Sequence, residues 1–222
     1  YDDLYNADFK LKFLLQIIAA KIIIDMGFVI TNYHGLFGLN EVSWILAQLT
    51  TIFVFLVIVN SINFIDGIDG LAITEVIKSI MLIELFSASP TALSKLGIMV
   101  ILILITLYYF NFKKNKKVFL GDGGSLVLGT IMAVYIFYIL GVEYQFKEGY
   151  QVNKTLFAVL VILFPLVDLL RVFVLRIKDG KSPFTADQNH IHHLLLKRKL
   201  NPMTSILIIQ IISLLASALI II

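Results

Sequence analysis

The chain has 222 residues, of which 59% are hydrophobic and 15% charged, and its formal net charge is +3. A soluble domain carries about 25% charged residues, so this composition, with a mean hydropathy of +0.93, excludes a single soluble globular domain. The absence of cysteine excludes a disulfide framework and thiolate chemistry, and the basic excess is that of a membrane protein's cytoplasmic loops rather than of a nucleic-acid surface.

Seven apolar runs follow one another at roughly 11–31, 44–62, 71–88, 96–111, 124–142, 156–175 and 203–222, and about 20 such residues cross a bilayer core. Several are rich in β-branched residues. In lipid the backbone must satisfy its own hydrogen bonds, so helix remains the expected state. The expected fold is all-α: a polytopic membrane helical bundle with about seven transmembrane helices, forming one integral membrane domain over 1–222. Starting at Tyr1 and stopping inside an apolar run at Ile222, the chain reads as a fragment that lacks N-terminal spans and a complete C-terminus.

Seven spans place alternate connections on opposite sides. One side, with the start of the first span, carries Lys10, Lys12, Lys113, Lys114, Lys116, Lys117, Arg176, Lys178, Lys181, Lys197, Arg198 and Lys199, and the other only Lys95, Lys147 and Lys154. The first side is therefore expected to be cytoplasmic. Four polar clusters, whose acids, glycines and histidines played no part in that assignment, land on the same side.

Asp2-Asp3 offers two hard oxygen donors of the kind Mg²⁺ accepts together with substrate phosphates. As structure alone it would be an acidic helix start, a role that suits Asp8 better. In the second cluster Asn63, Asp66 and Asp69 are three apart and would share one face of a helix, whereas Gly67 and Gly70 favour a bent backbone. Acids between apolar runs need a wet cavity or a cation. The third cluster, Phe119-Leu120-Gly121-Asp122-Gly123-Gly124-Ser125, follows a basic run and opens the fifth span. Its glycines leave backbone N–H groups available to a phosphate, and Asp122 suits a metal ligand. It lacks the Gly-Lys-Ser/Thr ending of a P-loop. The fourth, from Arg176 to Leu200, gathers cations with His190, His192 and His193, a surface suited to diphosphate or lipid phosphate. Within the spans, Lys21 with Asp25, Glu75 with Lys78 and Asp168 with Arg171 have the spacing of helical ion pairs.

These motifs, in this order, resemble the polyprenyl-phosphate N-acetylhexosamine 1-phosphate transferases, glycosyltransferase family 4, over nearly the whole chain. The family's Asp-Asp motif looks like Asp2-Asp3, with Lys12 and Gln16 at the usual offsets. Its Asn-x-x-Asp-Gly-x-Asp-Gly motif matches Asn63, Asp66 and Asp69, and its Phe-x-Gly-Asp-x-Gly-Ser motif matches Phe119, Asp122 and Ser125. Gly180 to Asp187 running into His190-Ile191-His192-His193-Leu194 is similar to the branch that uses UDP-N-acetylglucosamine. The muramoyl-pentapeptide branch, the nearest alternative, carries three consecutive histidines, and here Ile191 interrupts them. Ala7-Asp8-Phe9 stands where Leu-Ser-Pro is usual.

The resemblance implies a roughly ten-span fold in the cytoplasmic membrane with its site at the cytoplasmic face. It implies transfer of N-acetylglucosamine 1-phosphate from UDP-N-acetylglucosamine to undecaprenyl phosphate, with Mg²⁺ or Mn²⁺ as cofactor. Asp2, Asp3, Asp66, Asp69 and Asp122 are the catalytic candidates, with Asp122, Asp3 and Asp2 also the metal candidates. Lys12, Asn63, Phe119, Arg176, His190, His192 and His193 would bind substrate. The partners implied are the UDP-sugar, the lipid carrier, the bilayer and a second copy of the chain, with no nucleic acid. A transporter with intramembrane acids explains Glu75, Glu84 and Asp168 but not the clusters. A CDP-alcohol phosphotransferase would need two further aspartates at four-residue spacing after Asp69.

Overall fold

The computed structural model describes residues 9–113, 115–150, 152–182 and 189–221. Its helices are α1 (Phe9–Asp25), α2 (Trp44–Ile65), α3 (Leu71–Phe86), α4 (Ser94–Asn111), α5 (Gly121–Leu140), α6 (Lys154–Val161), α7 (Leu163–Lys178), α8 (Ile191–Lys197) and α9 (Pro202–Ile221). Among the described residues there is no strand, only two isolated bridges, so the fold is all-helical as expected. All seven apolar runs fall on helices. Three of these, α2, α4 and α5, are long and apolar enough to cross a membrane, and the bent pair α6–α7 makes a fourth if it is one broken span. The expected count of seven is not reached on that criterion among the described residues, because α1 and α3 are short, at 17 and 16 residues, and α9 counts only as a shorter apolar helix over Pro202–Ala218.

The helices bury one part of their apolar surface and leave the rest outward, as a lipid-facing bundle requires. Phe55, Ile58, Val59 and Ile62 of α2 pack with Met132, Ala133 and Ile136 of α5 and with Val76 and Ile80 of α3. Leu14, Leu15 and Ile18 of α1 and Ile98, Met99 and Leu102 of α4 stay exposed. The most extensive helix contact joins α2 and α5. There Gly129 lies so close that a Cβ would sit 2.8 Å from the Val59 Cα and 3.0 Å from its carbonyl oxygen. Small residues let helices approach in this way where lipid offers no hydrophobic drive to join them.

The break between α6 and α7 has an identifiable cause. Pro165 has no N–H to give to the Val161 carbonyl four residues earlier. Ser79 Oγ of α3 donates to that carbonyl instead, at 2.8 Å, and Ser217 Oγ of α9 donates to the Leu160 carbonyl at 3.1 Å. With its freed carbonyls satisfied from neighbouring helices, the pair bends by 77°.

Two of the three expected ion pairs form. Lys21 bonds Asp25, and Lys78 Nζ bonds Glu75 Oε1 at 2.6 Å. Gln210 Nε2 and Ser213 Oγ, both on α9, complete that second pair at 3.0 Å and 2.9 Å, tying α9 to α3. The third expectation needs correction. Asp168 bonds His190 and the Ile191 backbone, while Arg171 donates to the Asn189 carbonyl. The bend and the returning chain bring a better partner than the helix itself offers.

The Gly129 contact generates a test. Gly129→Ala places a methyl against backbone that cannot rotate away, so it should destabilise the bundle by about 1–3 kcal/mol. A lowered thermal midpoint of the detergent-solubilised protein checks this, and an unchanged midpoint would show that the α2–α5 contact yields freely.

Candidate active site

Asn63 occupies the last turn of α2, which ends at Ile65 with Asp66 as its C-cap. The backbone then turns through Gly67 to Gly70, and Gly70 is left-handed at φ 82°. A Cβ there would fall 2.6–2.7 Å from the Phe112 and Tyr108 rings. The bent alternative is thus realised, and Asn63, Asp66 and Asp69 follow a helix end into a turn rather than one helix face.

The third motif meets this turn. Asp122 lies in the first turn of α5. Its Oδ2 accepts from Lys12 Nζ of α1 at 2.8 Å, and its Oδ1 accepts from Asn63 Nδ2 at 3.3 Å. Asn63 also donates to Ser125 Oγ at 2.8 Å. Three motif segments far apart in sequence therefore share one hydrogen-bonded group. Asp69 pairs with Lys117, whose ammonium stands 4.7 Å from the centroid of the exposed Phe119 ring.

Burial pushes the Asp66 carboxyl up to about 7, with the neighbouring Asp122 and then Asp69 adding to the effect. Like charges held close favour the protonated form until a cation arrives. These oxygen donors have the chemistry of a hard divalent ion, which needs only one or two carboxylates plus phosphates and water. No three acidic or histidine side chains among the described residues converge into a metal cage. Asp2 and Asp3 lie outside the described residues.

The histidine segment closes on the same turn. A Cβ on Gly67 would sit 2.2 Å from His192 Nε2, so a side chain there would displace the ring. His192 is fully buried, and neither ring nitrogen has a hydrogen-bond partner among the described residues. Its ring stacks on His190 at 5.5 Å and 11° and lies 4.2 Å from His193. Arg176 is buried, its guanidinium 5.9 Å from the Phe64 ring centroid. Burial lowers His192 to about 4, with His193 next among the causes and His190 adding, against an opposing pull from Asp168.

A cavity of about 300 Å³ begins at Lys12, Asn63 and Asp122 and continues between Phe53, Leu56, Leu126 and Phe173. One end is polar and the rest apolar. Gln16 and Asn60 line it and bond each other, Asn60 Nδ2 to Gln16 Oε1 at 2.8 Å. Sequence reasoning missed Asn60, although a lone amide within an apolar run is a signal. It also missed the Lys117–Asp69 pair, whose members no local spacing relates. A larger cavity, about 950 Å³ between α3, α4 and α9, is lined by none of the motif residues.

Residues 1–140 match the family described as glycosyl transferase family 4. The chain is similar to the undecaprenyl-phosphate alpha-N-acetylglucosaminyl 1-phosphate transferase of Haemophilus influenzae, 35% identical over 102 residues, 46% of this chain and 27% of the relative. It is similar to the probable undecaprenyl-phosphate N-acetylglucosaminyl 1-phosphate transferase of Bacillus subtilis, 30% identical over 95% of this chain and 58% of the relative. It is also similar to the decaprenyl-phosphate N-acetylglucosaminephosphotransferase of Mycobacterium leprae, 31% identical over 88% of this chain and 54% of the relative. The chain thus spans little more than half of the two relatives that it matches along most of its own length.

The buried His192 sets a pH dependence. Its pKa is about 4 in the folded protein against an ordinary 6.5, so the unfolded chain binds the proton more readily across that window. Stability is unaffected above 6.5 and should fall as pH drops from 6.5 toward 4, by on the order of 3 kcal/mol. Thermal midpoints measured across that range should fall more steeply for the wild type than for His192→Gln. Parallel curves would show that His192 is protonated freely in the fold.

Proposed function

This chain belongs to glycosyl transferase family 4, and we propose that the full-length protein transfers N-acetylglucosamine 1-phosphate from UDP-N-acetylglucosamine to undecaprenyl phosphate, releasing UMP. One observation carries this reading. Asp122, Lys12 and Asn63 line the polar end of an apolar cavity, and Asp66 of the neighbouring motif lies near enough to Asp122 and Asp69 to feel both charges. That arrangement suits an anionic head on a hydrocarbon chain. The names of the curated relatives support the choice of sugar and carrier.

A terminal phosphate oxygen of the carrier attacks the phosphorus bonded to the sugar oxygen. The bond from that phosphorus to the bridging oxygen breaks, and UMP leaves with the electron pair. The carrier's second pKa is near 6, so its phosphate is largely ionised without a strong base. The chain's tasks are to bring two anions together and to neutralise them. Lys12 and Arg176, with His190 and His193, are assigned to the phosphates, and Asn63 orients Asp122. Phe119 would stack on uracil. Asp122, with Asp2 and Asp3 of the first motif, would hold Mg²⁺ or Mn²⁺, and Asp66 and Asp69 complete the acidic field. When bound, the ion supplies charge neutralisation across the diphosphate.

The Lys and Arg distribution supports seven spans in one integral membrane domain over 1–222, with this end of the bundle in the cytoplasm. The donor, a charged nucleotide sugar, would be met there.

The test is UMP release by the full-length protein in detergent, given undecaprenyl phosphate, Mg²⁺ and a panel of UDP-sugars. UDP-N-acetylglucosamine should be the preferred donor. Equal formation of a lipid-linked muramoyl-pentapeptide would reassign the donor within the family. Asp122→Asn should lower turnover by at least about 10²-fold, since the electrostatic contribution at a metal is worth several kcal/mol. Near wild-type turnover at saturating Mg²⁺ would remove Asp122 from the metal site.

A further inference from the structure

We propose that Asp168 is a positioning residue that fixes the tautomer and aim of the His190 ring. The proposal rests on the transferase reading only for what that ring acts upon. Asp168 lies on α7 just after the bend and is fully buried. Its Oδ2 is 2.6 Å from His190 Nδ1, and its Oδ1 accepts the Ile191 N–H at 2.8 Å. Arg171, three residues on, donates Nη1 to the Asn189 carbonyl at 2.6 Å. One face of α7 thus grips three consecutive residues, 189 to 191, at the start of the histidine segment.

A purely structural account would make Asp168 a remote cap for α8, and that needs one oxygen. The other oxygen goes to the ring. A buried carboxylate is costly unless its acceptors are filled, and Asp168 could have been filled by Arg171 three residues along its own helix. Arg171 is engaged elsewhere, leaving the carboxylate to the imidazole. An ionised carboxylate only accepts, so the proton on Nδ1 is set by this bond and Nε2 becomes the working nitrogen. Nε2 has no hydrogen-bond partner among the described residues.

The ring is held on its other sides as well. Phe64 of α2 lies 5.7 Å away, and His192 and His193 of α8 at 5.5 Å and 6.3 Å. Among the described residues, the charged and titratable groups around His190 are Asp168 and Arg171 from α7, His192 and His193 from α8, and Arg176, which also approaches the Phe64 ring. Asp168 is the one anion among these described residues, and its bond to Nδ1 leaves Nε2 as the ring nitrogen available to a substrate.

Asp168→Asn tests this, because the amide keeps the shape and can still accept the Ile191 N–H. It also donates to Nδ1, which moves the ring proton to Nε2. Selective ¹⁵N labelling of histidine in the full-length protein reads the tautomer directly. The wild type should show His190 protonated at Nδ1 and the variant at Nε2. UMP-release turnover should fall by roughly 10²-fold, with the KM for the donor changed only a few-fold. Asp168→Glu should restore the tautomer and part of the rate. An unchanged ¹⁵N pattern, or turnover equal to the wild type, would overturn the proposal. Failure of the wild type to release UMP from any UDP-sugar would sink the transferase reading instead, while the tautomer measurement would still decide this one.

Discussion

A carboxylate set among apolar helices must find a cation, a donor or water, because the bare charge is too costly to bury. Each interior acid of this bundle answers that demand differently. Glu75 is neutralised by Lys78 and bridged to α9. Asp168 takes a histidine and a backbone N–H, and Asp122 takes Lys12 and Asn63. Asp66 is the exception: neighbouring acids and burial press its carboxyl up to about 7. The group with the least compensation lies where two motifs meet, at the place proposed for the cation and the anionic substrates.

Two departures from regular packing make that meeting possible. Gly129 lets α5 close onto the α2 backbone at Val59, which sets the depth at which the start of α5 meets the end of α2. Asp122 and Asn63 then fall within hydrogen-bond reach. The break at Pro165 turns α7 across the bundle, and hydroxyls of Ser79 and Ser217 satisfy the carbonyls it frees. Without the bend, Asp168 and Arg171 could not hold the histidine segment against Gly67. The two glycines act by the same logic, since each stands where a side chain would occupy a neighbour's place.

The candidate site was largely legible in the sequence because its motifs are local. Asn63, Asp66 and Asp69 lie within seven residues, and Phe119, Asp122 and Ser125 within another seven. Their common side followed from the Lys and Arg distribution, an independent signal. The contacts between motifs were not legible. Lys12 with Asp122 spans 110 residues and Lys117 with Asp69 spans 48, and no spacing rule reaches that far. Where a rule did apply, for Asp168 and Arg171, it chose the nearer partner, and the fold supplied a different one.

The sequence by itself determined that the chain is helical, apolar on most faces and polar at one end, since hydropathy and motif spacing act through neighbouring residues. It also determined the family, whose motifs are short and ordered along the chain. Only the tertiary structure decided which acid faces which base, which carbonyls a broken helix hands to hydroxyls, and why Gly67 leaves room for His192. Those outcomes depend on helix approach and on a 77° bend, set by packing among segments that the sequence keeps far apart.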